Sequence, residues 1–511
     1  MRVRLDPGVR RFENGRLLLG GAPARLLRLG AAGTRLLDTW LTGEPVAATA
    51  TARALARKLL DAGILHPIAE PADSPASLVT LVVPVRDNPH GLTRLLAATR
   101  AVTTRIVVDD GSASPITTAA TGTTRDASPT PAATTSSAAR IAVSVGDHTP
   151  VTDSTGSTMR DPVPREPFTS TAATPGEETR AGIDDSSRVT LVRHDRARGP
   201  AAARNAGWRR ATTPLIAFLD SDVVPAPGWL DHAVPLFDDP AVAAVAPRVV
   251  SLRGGPVGEY EAQRSALDMG PEPATVRPDG RVRYVPGAAL VVRAETLCAV
   301  GGFDEALRFG EDVDLVWRLV DAGCTVRYQP LSIVHHEPRG SVGAFLRQRF
   351  GYGTSAAPLA LRHPGLLPAA QLPAGAVATA ALLLSGHFAA AILPAALTVA
   401  RSAERLRRRG VPVTTAVPLA AAAQLRLARQ LADTVRRTWW PLALCGPRGR
   451  RVLRAAALVA AMESLLENTD VTVRLGDELA YGLGVWAGCL RHRTMAPLLP
   501  RVRRERTGQR P

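Results

Sequence analysis

Three aliphatic runs in this chain stop abruptly at acidic residues: "SLVTLVVPVRDN" (77–88), "RIVVDDGS" (105–112) and "PLIAFLDSDVVP" (214–225). Continuous apolar runs of this length predict strands buried on both faces, as in parallel sheets. Residues 91–100 between the first two runs read as a helix, and strand, helix, strand predicts a βαβ unit. Open sheets of this kind bind ligands beyond the C-terminal ends of their strands. Asp87, Asn88, Asp109 and Asp110 all fall at such ends. A tight turn accounts for a single Asp-Gly step; it is less sufficient when acids recur at successive strand ends.

The same pattern continues downstream. "RVTLVRHD" reads as a strand and "GPAAARNAGWRRAT" as a helix with Pro200 in its first turn. Asp220 and Asp222 stand one residue apart at a strand end, and two hard oxygen ligands suit Mg²⁺ or Mn²⁺, leaving positions for water and phosphate. "GEDVDLVWRLVDAGCTVRYQP" opens with three acids and continues as a helix with Leu315, Leu319 and Val320 inward. "IVHHEPRGS" follows a further strand, and imidazole is a competent metal ligand.

The chain has 511 residues, enough for two to four domains. Lys plus Arg is 62 against 46 for Asp plus Glu, a formal charge of +16, with Lys58 the sole lysine. Such a surface favours anionic partners: nucleic acid, acidic lipid or a phosphorylated substrate. The four cysteines are far apart and form neither a metal-binding pair nor a disulfide framework. A reducing cytoplasm fits, and the N-terminus lacks a signal-peptide pattern.

Residues 1–70 predict a separate small domain. "RFENGRLLLGGAPARLLRLG" reads as a β-hairpin breaking at Gly20-Gly21, and "GTRLLDTWLTG" and "ARALARKLLDAGILHP" as two helices followed by a strand. The order is winged-helix-like and resembles the small PqqD-type domains that recognise peptides. It carries no dense basic recognition helix, which argues against nucleic acid. Residues 113–187 collapse into Ala, Thr, Ser, Pro and Gly, which predicts a disordered insertion in a loop. Residues 364–495 predict a hydrophobic helical region associated with a membrane. The stretch 374–400 is long enough to span a bilayer, and the basic "RSAERLRRRG" behind it favours the cytoplasmic side. A helix lying in the membrane interface is the alternative. In "GDELAYGLGVWAGCLRHRT", Leu475, Leu479, Leu483, Trp486 and Leu490 predict a core or membrane-surface stripe.

Taken in order, "VVPVRDN", "VVDDGS", "GPAAARNAGW", "FLDSD", "GGFDE" and "GEDVDLVWR" resemble the GT-A glycosyltransferases of family 2 over residues 78–353, the insertion excepted. The resemblance implies an α/β domain (residues 77–353) with a Rossmann-like, mostly parallel sheet that binds a nucleotide-sugar. It implies that Asp109 or Asp110 meets the uracil of a UDP-sugar, with Asp87 nearby. Arg204, with Asn205, would face the diphosphate. Asp220 and Asp222 would hold the divalent metal, with His336, or else His335, as a further ligand. Asp312 is expected to be the base of an inverting transfer, with Glu311 the second choice. Gly287, Ala288 and the Gly301-Gly302 turn would shape the acceptor side. Arg347 and Arg349 either cover the phosphates or face water.

The combination of a PqqD-like N-terminus, a family 2 domain and an Arg-rich hydrophobic tail resembles the glycosyltransferases of the mycofactocin system. It implies glucose transfer from UDP-glucose to a peptide-derived redox cofactor, in β-1,4-linked chains. A membrane-bound family 2 transferase acting on lipid-linked or cell-wall glycans is the alternative among enzymes. A non-catalytic binding protein on a degenerate transferase fold is the alternative outside them.

Overall fold

The computed structural model describes residues 1–68, 70, 75–117 and 188–503. Most of the expected insertion, residues 118–187, lies outside the described residues.

The chain is organised around a nine-stranded sheet. Its path runs Val223–Pro225, Thr325–His336, Val242–Ser251, Ala289–Arg293, Leu215–Leu219, Val79–Val85, Thr104–Asp109 and Arg188–Arg193, with Ala274–Thr275 paired to the second of these. The four strands from Leu215–Leu219 to Arg188–Arg193 are parallel, as the aliphatic runs predicted. Every residue of Val79–Val85 is buried, because helices cover both faces.

The other half departs from the expected mostly parallel sheet. Ala289–Arg293 is antiparallel to both of its neighbours, and Val223–Pro225 is antiparallel to the long strand Thr325–His336. This reversal has a consequence for the site. An antiparallel strand begins where its neighbour ends, so Ala289 pairs with Leu219 and the Asp220 N–H donates to the Ala288 carbonyl at 3.0 Å. Gly287 is thereby delivered to the strand end that carries Asp220 and Asp222.

The N-terminal unit is a three-stranded meander (Arg10–Phe12, Leu17–Gly20, Arg25–Arg28), two helices (Ala31–Leu41, Ala50–Asp61) and an antiparallel pair of Arg2–Leu5 with Leu65–Ile68. Leu18, Leu37, Trp40, Leu59 and Leu60 form its core. It docks on the sheet domain through Arg57, which donates to Asp239 at 2.8 Å and to Thr325 at 3.2 Å. Leu17 also packs among Ala403, Ala416 and Ala420 of the C-terminal helices.

The C-terminal region corrects the expected membrane span. Residues 374–400 do not form one helix: Val377–Leu384 ends at Ser385, Gly386 turns the chain at φ +78°, and Ile392–Arg408 begins afresh. Eight residues rise only about 12 Å, against about 30 Å of hydrocarbon. The second helix carries Arg401, Glu404, Arg405, Arg407 and Arg408. The next helix, Val413–Thr434, holds Arg426 and Arg429. Among the described residues no helix is long and apolar enough to cross a membrane.

The helix Val471–Arg491 also packs differently from its leucine pattern. Leu475, Leu479, Leu483 and Leu490 are exposed, while Gly482, Gly484 and Gly488 face inward. A Cβ at Gly484 would lie 2.1 Å from the Phe350 carbonyl oxygen, and one at Gly353 2.1 Å from that of Tyr481. Glycine is therefore what lets this helix lie directly on Val342–Thr354 of the catalytic domain.

Candidate active site

A cavity of 1190 Å³ opens at the C-terminal strand ends, walled on one side by the sheet domain and on the other by the C-terminal helices. Pockets for a single small ligand run to about 300–1,000 Å³, so this one has room for two reactants.

Arg204 organises its floor. The residue sits in the helix Pro200–Trp208 and is almost completely buried. Its Nη2 donates to Asp220 Oδ1 at 2.7 Å and its Nη1 to Glu311 Oε1 at 2.7 Å, with the Phe303 ring beneath it. Burial opposes its charge, but Asp220, Glu311 and Asp312 more than offset this and hold it protonated. The guanidinium expected to face a diphosphate is thus committed to two carboxylates.

Glu311 and Asp312 open the helix Glu311–Asp321 after Gly310, whose φ of +80° suits glycine. Asp312 Oδ2 accepts the Gly287 N–H at 2.7 Å and its Oδ1 accepts the Val313 N–H at 2.8 Å. A Cβ at Gly287 would crowd both Asp312 and Arg204. Burial, with the neighbouring Asp312 charge, pushes Glu311 up to about 7 despite its pairing with Arg204. Burial likewise raises Asp220, with the Asp222 charge contributing and Arg204 opposing. One buried guanidinium does not neutralise this group of carboxylates.

Asp222 is placed by its carbonyl, which accepts the Glu337 N–H at 2.9 Å. Burial would raise it, yet His336 and Arg339 hold it below the usual carboxylate range. Arg339 Nη2 lies 3.2 Å and His336 Nε2 3.7 Å from Asp222 Oδ2. The strand's alternation turns His336 into the cavity, while His335 is not among the lining residues. His336 is buried, and its Nδ1 has no hydrogen-bond partner among the described residues. Asn88 braces the turn from the other side, donating to the Ser221 carbonyl at 3.2 Å.

Among the described residues no three His, Cys, Asp or Glu side chains are grouped to cage a metal by themselves. A divalent ion bridging to phosphates needs only one or two carboxylates from the protein. The hard oxygens of Asp222 and Asp220 and the under-used His336 ring fit that requirement.

Other expected residues fall elsewhere. Asp109 is 0% exposed and outside the cavity: its oxygens accept from Ser112 N, Ile116 N and Arg193. Asp110 does line the cavity, but accepts from His194 Nδ1, Arg198 N and Gly199 N, each at 2.8 Å. Burial alone would raise it; these donors lower it and fix the loop leading into Arg204's helix. Asp87, at φ +53°, accepts the Ala113 N–H at 2.8 Å and does not line the cavity. Asn205 and Gly302 belong to a buried staple. Asn205 bonds both the Phe303 N–H and carbonyl, and a Cβ at Gly302 would lie 2.7 Å from its Oδ1. Both late arginines line the cavity; Arg349 is buried there, paired with Asp477 and stacked on Tyr352.

Sequence reasoning passed over Arg339, Tyr284 and Tyr352, which also line the cavity. It gave no role to Asp314, which ties Arg318 (2.7 Å) and His363 (2.9 Å) together behind the catalytic helix. A basic residue three beyond His336 was the one available signal for Arg339.

The family model described as Glycosyl transferase family 2 matches residues 175–293. The chain is 36% identical over 527 residues to the pre-mycofactocin glycosyltransferase of Mycobacterium tuberculosis (strain ATCC 25618 / H37Rv), covering 98% of this chain and 97% of the relative. The chain belongs to the pre-mycofactocin glycosyltransferase family. It is therefore a family 2 glycosyltransferase, and its sheet domain is a GT-A fold. A shorter match joins it to polypeptide N-acetylgalactosaminyltransferase 9 of Homo sapiens, 26% identical over 174 residues, 30% of this chain and 28% of that one. Among solved structures it is similar to the mannosyltransferase PcManGT from Pyrobaculum calidifontis in complex with GDP-Man and Mn²⁺. There the TM-score is 0.41 and the identity 16%, with 85% of this chain and 93% of that one covered. The match to the Mycobacterium tuberculosis relative covers 98% of this chain and so spans both the N-terminal unit and the C-terminal helices that wall the cavity.

Proposed function

We propose that this protein transfers glucose from UDP-glucose to pre-mycofactocin with inversion, in a metal-dependent reaction that extends a β-1,4-linked chain. One observation carries the catalytic part of this reading. Of the carboxylates lining the cavity, Asp312 alone has no basic side chain within ion-pair distance among the described residues. Asp220 and Glu311 share Arg204, Asp222 has Arg339 and His336, and Asp110 has His194. A base must be able to take a proton, and pairing with a cation opposes that. Asp312 is also held in one orientation by the Gly287 N–H, so its free lone pairs point in a fixed direction.

In this reading Asp312 accepts the proton of the acceptor hydroxyl as that oxygen attacks the anomeric carbon and the bond to UDP breaks. Asp220, Asp222 and His336 would hold a Mg²⁺ or Mn²⁺ ion. When bound, such an ion neutralises charge on the departing diphosphate. Arg339 and Arg347 face the same space and suit phosphate oxygens. The nucleoside would lie along residues 84–86 and Asp110.

The N-terminal unit, with its PqqD-like order of elements, would bind the peptide-derived part of the acceptor. Association with the cytoplasmic side of a membrane surface belongs to the same reading. Leu458, Leu465 and Leu466, each more than 70% exposed, supply the apolar surface for it.

The test is incubation of the purified protein with UDP-glucose, Mn²⁺ and pre-mycofactocin, followed by mass spectrometry. Serial addition of hexose to the acceptor supports the proposal. Transfer only to lipid-linked glycans would contradict it.

A further inference from the structure

The catalytic cavity extends well past Asp312, along a face of the C-terminal helices that the transfer chemistry does not use. Gln430, Asp433 and Arg437 all line it. Their spacing of three and four places them on one face of the helix Val413–Thr434 and of the π-helical turn Val435–Trp439 that continues it. Such π turns occur often at functional sites.

Each of the three retains unused hydrogen-bonding capacity. Gln430 Oε1 is buried and has no hydrogen-bond partner among the described residues. No carboxylate among the described residues lies within ion-pair distance of Arg437, whose guanidinium rests on the Tyr481 ring at 4.4 Å. Asp433 pairs with Arg436 but keeps 47% of its side chain exposed. Tyr284, itself 37% exposed, lies within electrostatic reach of Asp312, Arg437 and Tyr481.

This inventory discriminates between ligands. Two acceptors, one fork of donors and an aromatic face suit a neutral ring bearing hydroxyls, which both donates and accepts. A phosphate would gain from the Arg437 guanidinium but would meet the Asp433 carboxylate beside it as a like-signed neighbour.

We infer that Gln430, Asp433, Arg437 and Tyr284 form an acceptor subsite that holds a sugar residue already attached, so that the chain end reaches Asp312. The inference rests on the proposed function for its acceptor and reaction direction, but the subsite can be tested without either.

The probe is cellotriose, titrated calorimetrically into the full chain saturated with UDP and Mn²⁺. Wild type should bind it. Gln430→Ala, Arg437→Ala and Tyr284→Ala should each weaken binding by about tenfold, the effect of losing one good hydrogen bond or stacking contact. UDP affinity and melting temperature, measured on the same samples, should stay near wild type. With a diglucosylated acceptor, KM should rise by a similar factor while kcat is kept.

Failure of wild type to bind cellotriose overturns the inference. So does equal binding by wild type and all three variants, or a loss of UDP affinity that matches the loss of cellotriose. If cellotriose binds and the variants weaken it, yet pre-mycofactocin receives no glucose, the subsite stands and the acceptor of the proposed function falls.

Discussion

Arg204 and Asp220 come from different elements, yet Nη2 of one lies 2.7 Å from Oδ1 of the other in a cavity floor that also holds Glu311. The pair joins the helix after the insertion to the strand end that carries Asp222. Arg204→Ala removes the cation from between carboxylates and leaves them buried and unpaired. Breaking a buried pair in this way costs about 3–5 kcal/mol. Chemical denaturation of the variant should show a loss of that size, and donor binding should fall with it. A stability within about 0.5 kcal/mol of wild type, the range of an ordinary surface change, would contradict the placement.

Glu311 gives a pH dependence of definite sign. Its ordinary value is 4.5 and the folded protein raises it to about 7. Between those values the folded state holds more protons than the unfolded chain. Stability from this group is therefore present at low pH and is lost as pH rises through about 7. Glu311→Gln removes the titration. The stability difference, variant minus wild type, should grow from pH 5 to pH 8 in urea melts without metal. A flat difference would show that Glu311 is ionised throughout.

The close packing of the helix Val471–Arg491 on its neighbours depends on glycines. A Cβ at Gly482 would lie 1.8 Å from the Arg437 carbonyl oxygen. Gly482→Ala should push the helix Val471–Arg491 away, costing about 1–3 kcal/mol as overpacking does. Turnover should suffer as well, because Tyr481 and Asp477 of that helix line the cavity. Leu479→Ala on the exposed face of the same helix is the control, and it should melt within about 0.5 kcal/mol of wild type.

Metal dependence has its own check. Asp222 and His336 converge on one side of the cavity, 3.7 Å apart at their nearest polar atoms. Asp222→Ala should abolish the gain in UDP-glucose affinity that Mn²⁺ brings to wild type. An undiminished Mn²⁺ effect in calorimetry would remove Asp222 from the ligand set.

The sequence carried the parallel half of the sheet plainly, because Val79–Val85 and Leu215–Leu219 are buried on both faces and read as unbroken aliphatic runs. The reversed strand Ala289–Arg293 was not legible, since strand direction leaves no mark in an apolar run. Acids at strand ends announced a site, but not which oxygens were free. Asp109 and Asp110 are adjacent, yet one is consumed by turn N–H groups and the other lines the cavity. Arg349 and Asp477, which meet across the two regions, are 128 residues apart, and no local pattern joins them. The C-terminal leucines misled for a related reason. Periodicity finds a stripe, whereas here the close packing was made by Gly482, Gly484 and Gly488 on the other face.

The most direct measurement concerns Asp312. Asn is nearly isosteric with Asp and its carbonyl oxygen can still accept the Gly287 N–H, but it cannot take a proton. Asp312→Asn should bind UDP-glucose with near wild-type affinity in the presence of Mn²⁺. Its turnover in glucose transfer to pre-mycofactocin should fall by about 10²–10⁴, the usual contribution of a general base. Near-normal turnover would contradict the account and pass the role to Glu311; loss of donor binding would place Asp312 with the nucleotide or the metal instead.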